Sequence, residues 1–475
     1  MAEILRPDIC VIGAGSAGLT VAAAAAAFGV SVVLVEGGRM GGDCLNTGCV
    51  PSKSLIAAAR HAHTIRRAPA FGVMVGEPEI DFQRVHDHVH GVIAAIAPND
   101  SAERFAALGV KVIRAHGRFT GRRTLEAEDY QIRARRFVVA TGSRPRLPAV
   151  PGLDTVPYLT NETIFDLTRP PGHLVIIGGG PIGMELAQAF ARLGSSVTVL
   201  ESSEALGHDD PELAALAIEA VERDGVVLRE GVSIVRAARR GRYGIRVSLS
   251  ASAGEETIDG THLLVAVGRQ PDIAELGLEA ARIAHSEKGI KVNRRLRTTN
   301  RRVYAIGDAV GGYQFTHWAG YQAGLVVRSI LFRFGGRMKP GLVPWVTYTD
   351  PELAHVGLSE EEARQRFRTI RILRWPFAEN DRAQTERATA GLVKAIVTRK
   401  GRIVGAGIVG AHAGELIAPW ALAISQGLTV RALMDTVLPY PTLSETAKRA
   451  ALSFYTPKLM SPWPRRLVRL ARLLP

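Results

Sequence analysis

VIGAGSAGLTVAAAAAAFGVSVVLVE, Val11 to Glu36, aligns without a gap on IIGGGPIGMELAQAFARLGSSVTVLE, Ile176 to Glu201. Gly13, Gly15 and Gly18 fall on Gly178, Gly180 and Gly183, and Glu36 falls on Glu201. Each copy reads as an apolar strand, a G-x-G-x-x-G turn, an alanine-rich helix and a second strand ending in an acid. The first glycine makes the tight turn, the second lets backbone approach a pyrophosphate, and the third lets helix pack on strand. The helix start then offers free N–H groups and a positive dipole end to phosphate oxygens. The acid accepts from ribose hydroxyls. One such turn is a weak signal. Two, each with strand, helix and acid in place, predict an α/β chain with two Rossmann-like dinucleotide-binding domains.

Glu201 is followed by Ser202, Ser203 and Glu204, with no arginine to meet a 2′-phosphate, so the second turn favours NAD over NADP. Ile9 to Val35 carries no charge and is long enough to suggest a membrane span. Its glycines and its strand–turn–helix pattern argue for a buried βαβ unit instead. The net charge of +14 comes from arginines spread along the chain. No zinc-finger spacing or interleaved aromatics accompany them, so a basic solvated surface is expected rather than a nucleic-acid partner.

GGDCLNTGCVPSK, Gly41 to Lys53, holds two of the chain's three cysteines. In a continuous helix, Cα atoms five residues apart lie roughly 8–9 Å apart, beyond the reach of about 7 Å that a disulfide allows. A bridge between Cys44 and Cys49 therefore requires the chain to leave helical geometry, which Asn46, Thr47 and Gly48 permit. So small a loop would add only about 2 kcal/mol, so redox chemistry accounts for the pair better than stapling does. A buried unpaired thiol pair is the plainer alternative. A metal site would need two further ligands, and none is obvious at fitting spacing. Cys10, within the first strand, reads as a small core residue. So few cysteines, and a start without a basic n-region and cleavage site, give the expectation of a reducing, cytoplasmic protein.

With these motifs the sequence resembles the class I FAD-dependent pyridine nucleotide–disulfide oxidoreductases, the family of lipoamide dehydrogenase, glutathione reductase and mercuric reductase. GGDCLNTGCVPSK is similar to the family's redox-active disulfide motif. ATGSRP (Ala140 to Pro145), AVGRQPD (Ala266 to Asp272), YAIGDAVGG (Tyr304 to Gly312) and VTYTDPELAHVGLSEEEA (Val346 to Ala363) carry the resemblance onward. It implies FAD and NAD as cofactors, a homodimer, and a C-terminal α+β dimerisation domain. It implies that Gly13, Gly15, Gly18, Glu36, Gly42, Thr141, Gly142 and Asp308 hold FAD, and that Gly178, Gly180, Gly183, Glu201 and Gly268 hold NAD. Cys49 would be the flavin-facing thiol and Cys44 the thiol that exchanges with substrate. Lys53 would sit near the flavin, paired with Glu185.

The pattern breaks near the C-terminus. Disulfide reductases of the family carry a histidine–proline there, the histidine reaching the thiols of the other subunit as an acid/base. Here VLPYPTLSE places Tyr440 at the histidine and keeps the glutamate, Glu445. A phenol with a pKa near 10 is a poor base at neutral pH. Tyrosine at this place, with NDRAQTE (Asn380 to Glu386) and HDDPELA (His208 to Ala214), is similar to mercuric reductase. Yet no cysteine follows Cys49, and the FAD motif begins by residue 11, so a mercury delivery route is not expected. The expected activity is electron transfer between NAD(H) and a dithiol or disulfide, as in dihydrolipoamide dehydrogenase. The alternatives are a metal or small-disulfide reductase, and a flavin-fold protein that binds a membrane surface or partner without turnover.

Composition breaks divide the chain. The expected FAD domain covers 1–145 and 271–341, the NAD domain 146–270 and the dimerisation domain 342–460. LVKAIVTRKGRIVGAGIVG reads as a hairpin around Lys400 and Gly401. Residues 461–475 form a basic amphipathic tail, with Trp463, Leu467, Leu470 and Leu474 on one helical face and Arg465, Arg469 and Arg472 away from it. The expectation is that this tail docks on its own chain or frays, rather than touching a membrane.

Overall fold

The computed structural model describes residues 3–242, 244–251 and 254–472. They divide into two compact units: one runs to Ser202 and resumes over Gly231–Met338, and the other takes Ser203–Glu230 and continues from Lys339.

In the first unit the leading copy of the repeat forms the strand Ile9–Ile12, the helix Ser16–Ala27 and the strand Val32–Val35. These strands belong to a five-stranded sheet in the order Val303–Ala305, Arg136–Val139, Ile9–Ile12, Val32–Val35, Val110–Ile113, every neighbour parallel. Side chains of a strand alternate between faces. Accordingly Ile9, Val11, Val32 and Leu34 enter one core with the helix residues Val21, Ala22 and Ala25. Cys10, Ile12, Val33 and Val35 enter another, with Phe119, Leu125 and Phe137. A parallel sheet covered on both faces reads as an unbroken apolar run, which is why Ile9 to Val35 imitates a membrane span. No described helix is long and apolar enough to cross a membrane.

The second copy folds alike, with the strand His173–Ile177, the helix Pro181–Arg192 and the strand Ser196–Leu200. The strand His262–Val265 lies parallel on the other side of His173–Ile177. The segments quoted as ATGSRP and AVGRQPD meet: Ser143–Pro145 pairs antiparallel with Arg269–Pro271. The outgoing and returning crossings between the two dinucleotide folds are thus one two-stranded ribbon.

The second unit is built on an antiparallel sheet in the order Trp345–Thr347, Glu352–Gly357, Ile403–Gly410, Leu392–Thr398, Ile370–Pro376. The hairpin expected around Lys400 and Gly401 joins the third and fourth strands of that order. Trp420, Phe377, Val393 and Ile408 fill its core. Within that unit Lys394 is buried, its Nζ 2.7 Å from Asp210, 3.0 Å from Glu212 and 3.0 Å from Glu360. A buried ammonium is tolerated because carboxylates surround it.

In the tail, Pro462–Ala471 forms a helix and none of its residues is buried. Over the described residues it keeps helical form rather than fraying, without burying a side chain, and Leu474 lies outside them.

Candidate active site

The thiol segment is two helices broken where the sequence allows it. Gly42–Asn46 ends at Thr47 with φ −143°, and a new helix, Cys49–Arg67, starts after Gly48. A Cβ on Gly48 would sit 2.8 Å from Asp43 Oδ2, so the chain reverses closely enough to return Cys49 to Cys44. Both are thiols here, and Cys44 is hydrogen-bonded to Cys49.

Cys49 is the first residue of a 19-residue helix. Its Sγ also lies 3.6 Å from Oγ1 of Thr316, the first residue of the helix Thr316–Leu331. Two helix starts therefore point partial positive charge at one sulfur. The Cys44 hydrogen bond, then that of Thr316 and the charge of Lys53, lower the Cys49 thiol to about 6 against its own desolvation. Cys44 is pushed the other way, raised by the hydrogen bond it shares with Cys49 and by burial. The reduced pair is thus one proton held on Cys44 beside a thiolate on Cys49.

A prediction follows from that order. In the reduced protein, alkylation of Cys49 by iodoacetamide falls as pH drops through about 6. Cys44→Ala removes the largest cause, so the midpoint moves up towards the ordinary thiol value of about 8.5. Midpoints that coincide in wild type and variant would show that Cys44 does not donate.

Lys53 Nζ lies 2.7 Å from Glu185 Oε2, with Glu185 only 6% exposed. The helix that carries Cys49 also carries Lys53, one turn on, and Glu185 belongs to the helix of the second glycine turn. The pair therefore joins the thiol segment to the second dinucleotide fold.

Several contributors were not legible as site residues. Asp43 Oδ1 accepts from Thr47 Oγ1 at 2.7 Å and from Asn161 Nδ2 at 3.0 Å, and lies 3.2 Å from Arg269 Nη2. Arg269 Nε donates to Ser143 Oγ at 2.8 Å, and Ser143 Oγ donates to Asp308 Oδ2 at 2.6 Å. A continuous polar chain thus runs from the thiol loop, through the crossing ribbon, to Asp308. Asp43, Ser143 and Arg269 lie inside quoted motifs; Thr316 and Asn161 carry no local signal.

At the first turn a Cβ on Gly13 would meet Ala140 O at 2.3 Å, and one on Gly18 would meet Gly13 O at 1.8 Å. A Cβ on Gly15 would meet nothing nearer than Gly42 Cα at 3.9 Å. The second turn repeats this, with Gly178 and Gly183 closed in and Gly180 open. The middle glycines therefore border open space at a helix start, where a pyrophosphate fits. Glu36 accepts from Ala14 N, and Glu201 Oε2 accepts from Gly179 N at 2.8 Å, so both acids stand beside their turns. Burial holds the Asp308 carboxyl above its ordinary value, against the bond from Ser143, which suits a site that receives further hydroxyl donors. Thr141 Oγ1 donates to Asp272 O at 2.7 Å, Gly142 has φ +73°, and Gly268 O accepts from Arg146 N at 3.0 Å, so these three shape the crossing ribbon. The residues fit FAD at the first turn and a nicotinamide dinucleotide at the second.

In the second unit Tyr440 is 70% exposed and its hydroxyl donates to Asp381 Oδ2 at 2.9 Å. Asn380 caps the helix Asp381–Thr385 through Ala383 N and donates from Nδ2 to Thr442 O at 3.0 Å. The two segments singled out separately in sequence, NDRAQTE and YPTLSE, are therefore one assembly. Its hydrogen bond to Asp381, and that carboxylate's charge, raise Tyr440 above the ordinary phenol value. Tyr440 is a hydrogen-bond donor here, and its base form is scarcer still at neutral pH. Glu445 opens the helix Glu445–Ser453.

The family model described as pyridine nucleotide-disulphide oxidoreductase matches residues 7–323, and that of its dimerisation domain matches residues 343–451. The chain is 37% identical to a dihydrolipoyl dehydrogenase of Thermus scotoductus over 94% of this chain and 96% of that one. It is 34% identical to a mercuric reductase of Bacillus cereus over 94% of this chain and 71% of that one. Among solved structures it resembles LpdA of Mycobacterium tuberculosis, with a TM-score of 0.86 and 28% identity over 96% of this chain and all of that one. It also resembles the HOCl-induced flavoprotein disulfide reductase RclA of Escherichia coli, with a TM-score of 0.83 and 29% identity over 93% and 98% of the two chains.

Proposed function

The chain belongs to the pyridine nucleotide–disulphide oxidoreductase family, FAD-dependent enzymes that use NAD(P), and from that footing we propose that it moves electrons between NAD(H) and a dithiol–disulfide couple through Cys44 and Cys49, in the direction of disulfide reduction. FAD supplies the two-electron exchange between nicotinamide and the thiol pair. NAD rather than NADP is supported by Glu201 and by the absence of arginine from 202–204. The division into FAD segments 1–145 and 271–341, an NAD segment 146–270 and a dimerisation segment 342–460 belongs to the same reading. So does a reducing, cytoplasmic setting, supported by three cysteines in 475 residues. The match to the dimerisation domain supports a homodimer.

What carries the thiol exchange is the contact of the two sulfurs, Cys44 raised and Cys49 lowered by the hydrogen bond between them, and what supports the direction is Tyr440 in place of an imidazole. Cys44 holds the proton and donates to the Cys49 thiolate. As the Cys44 sulfur attacks a substrate disulfide, its proton passes by way of Cys49 to the departing sulfur. One S–S bond breaks, the mixed disulfide forms, and the first product leaves as a thiol. The Cys49 thiolate then attacks Cys44 Sγ, closing the Cys44–Cys49 disulfide and expelling the second sulfur, which takes its proton from solvent while the hydroxyl of the partner subunit's Tyr440, at the place of the family's histidine, hydrogen-bonds it. Two electrons pass from the thiol pair to substrate, and NADH restores them. The reverse reaction must strip protons from a dithiol near neutral pH. Tyr440, held by Asp381 and raised above the ordinary phenol value, is a poor acceptor for them.

The test is turnover at pH 7 of NADH with lipoamide, glutathione disulfide and mercuric ion, beside NAD with dihydrolipoamide. Disulfide reduction should exceed dithiol oxidation. Tyr440→Phe should lower disulfide reduction by about tenfold, and Tyr440→His should raise dithiol oxidation by roughly tenfold or more. Dithiol oxidation that is already the faster reaction, and indifferent to Tyr440→His, would overturn the assignment.

A further inference from the structure

The C-terminal helix is a feature the redox reading does not use. Pro462–Ala471 has no buried residue, and Trp463 is 67%, Leu467 43% and Leu470 61% exposed. At 100° per residue these three fall within about 60° of one another. Arg465, Arg469 and Arg472 cluster on the opposite side and Arg466 on the flank, all exposed. Leu459 and Met460, just before the helix, are exposed at 58% and 68%. After Glu445 the chain carries seven lysines and arginines and no further acidic side chain. A helix whose apolar stripe is exposed, and whose opposite side carries three arginines beside Val468 and no acid, has the composition of an element that lies in a bilayer interface.

We propose that this helix seats the enzyme peripherally on a membrane surface containing anionic phospholipid, with Trp463, Leu467 and Leu470 entering the headgroup–acyl boundary and the arginines meeting lipid phosphates. Charge complementarity selects this occupant: the four arginines face no acid within the tail, and each cation near an anionic surface is worth roughly fivefold in partition. Ten residues span only about 15 Å, so a single tail binds reversibly. A homodimer presents two, and linked weak contacts strengthen one another.

The test is flotation of the full FAD-loaded protein with phosphatidylcholine vesicles and with vesicles containing phosphatidylglycerol. Binding should be at least about tenfold greater on the anionic vesicles and should be lost in high salt. The quadruple variant R465Q/R466Q/R469Q/R472Q and the double variant L467S/L470S should each lose most of it, with FAD content and dimer mass unchanged. Equal binding to both vesicle types, or to neither, would overturn the proposal. So would undiminished binding of the variants, which would assign it to the basic surface elsewhere. A change in dimer mass on L467S/L470S would instead make a second copy of the chain the partner of this face.

Discussion

Cys44→Ser is expected to abolish disulfide exchange, lowering turnover by at least about 10³-fold, while the protein folds and keeps its FAD. A hydroxyl is far less nucleophilic than a thiol and cannot form the mixed disulfide. The substitution exchanges one side-chain atom, on a side chain bonded to Cys49, so the cofactor cradle is unchanged. NADH should still bleach the flavin of the variant. Cys49→Ser behaves differently: Cys44 keeps its sulfur and captures substrate once, but nothing expels the product, so the mixed disulfide accumulates and mass spectrometry finds it on Cys44. If Cys44→Ser exchanged disulfides at the wild-type rate, the attacking sulfur would have been assigned to the wrong residue.

The second large effect separates folding from cofactor binding at neighbouring glycines. A Cβ on Gly18 would lie 1.8 Å from the carbonyl oxygen of Gly13, so Gly18→Ala must push the helix Ser16–Ala27 off its strand. Overpacking of this kind costs about 1–3 kcal/mol or more, and the variant should be less stable and poor in flavin. At Gly15 the same methyl meets only Gly42 Cα, at 3.9 Å. Gly15→Ala should therefore fold with a melting temperature close to wild type, yet lose FAD, because the methyl takes space meant for the pyrophosphate. Denaturation midpoints and flavin absorbance read the two outcomes apart. A Gly15→Ala protein that retained full flavin would remove the pyrophosphate from this turn.

What sequence made legible was periodic or local. The paired glycine turns, the acids 23 residues past each first glycine, and the thiols in GGDCLNTGCVPSK all announce themselves within one stretch of chain. The Lys53–Glu185 contact was expected through resemblance and lies at 2.7 Å. What stayed hidden depends on contacts between distant segments. Thr316 meets Cys49 across 267 residues, and nothing near Thr316 hints at a sulfur. Asn161 reaches Asp43 across 118 residues. Ser143 and Arg269 were visible as motif members, but their bonds to Asp308 and Asp43 exist only once two crossings pair as strands. Tyr440 could be read as a missing imidazole, whereas its hold on Asp381, which makes it a donor, required the fold. Amphipathicity makes the tail helix legible, but it does not say what covers the apolar face.

The central claim is that nicotinamide and sulfur exchange electrons within one protein, and thiol counting tests it most directly. Air-oxidised protein is titrated anaerobically with NADH, quenched in acid, denatured and assayed for thiols. With Cys10 buried in the core and Cys44 and Cys49 forming the redox pair, the count should rise from one to three per chain. A count that stays constant while NADH reduces the flavin would contradict the account.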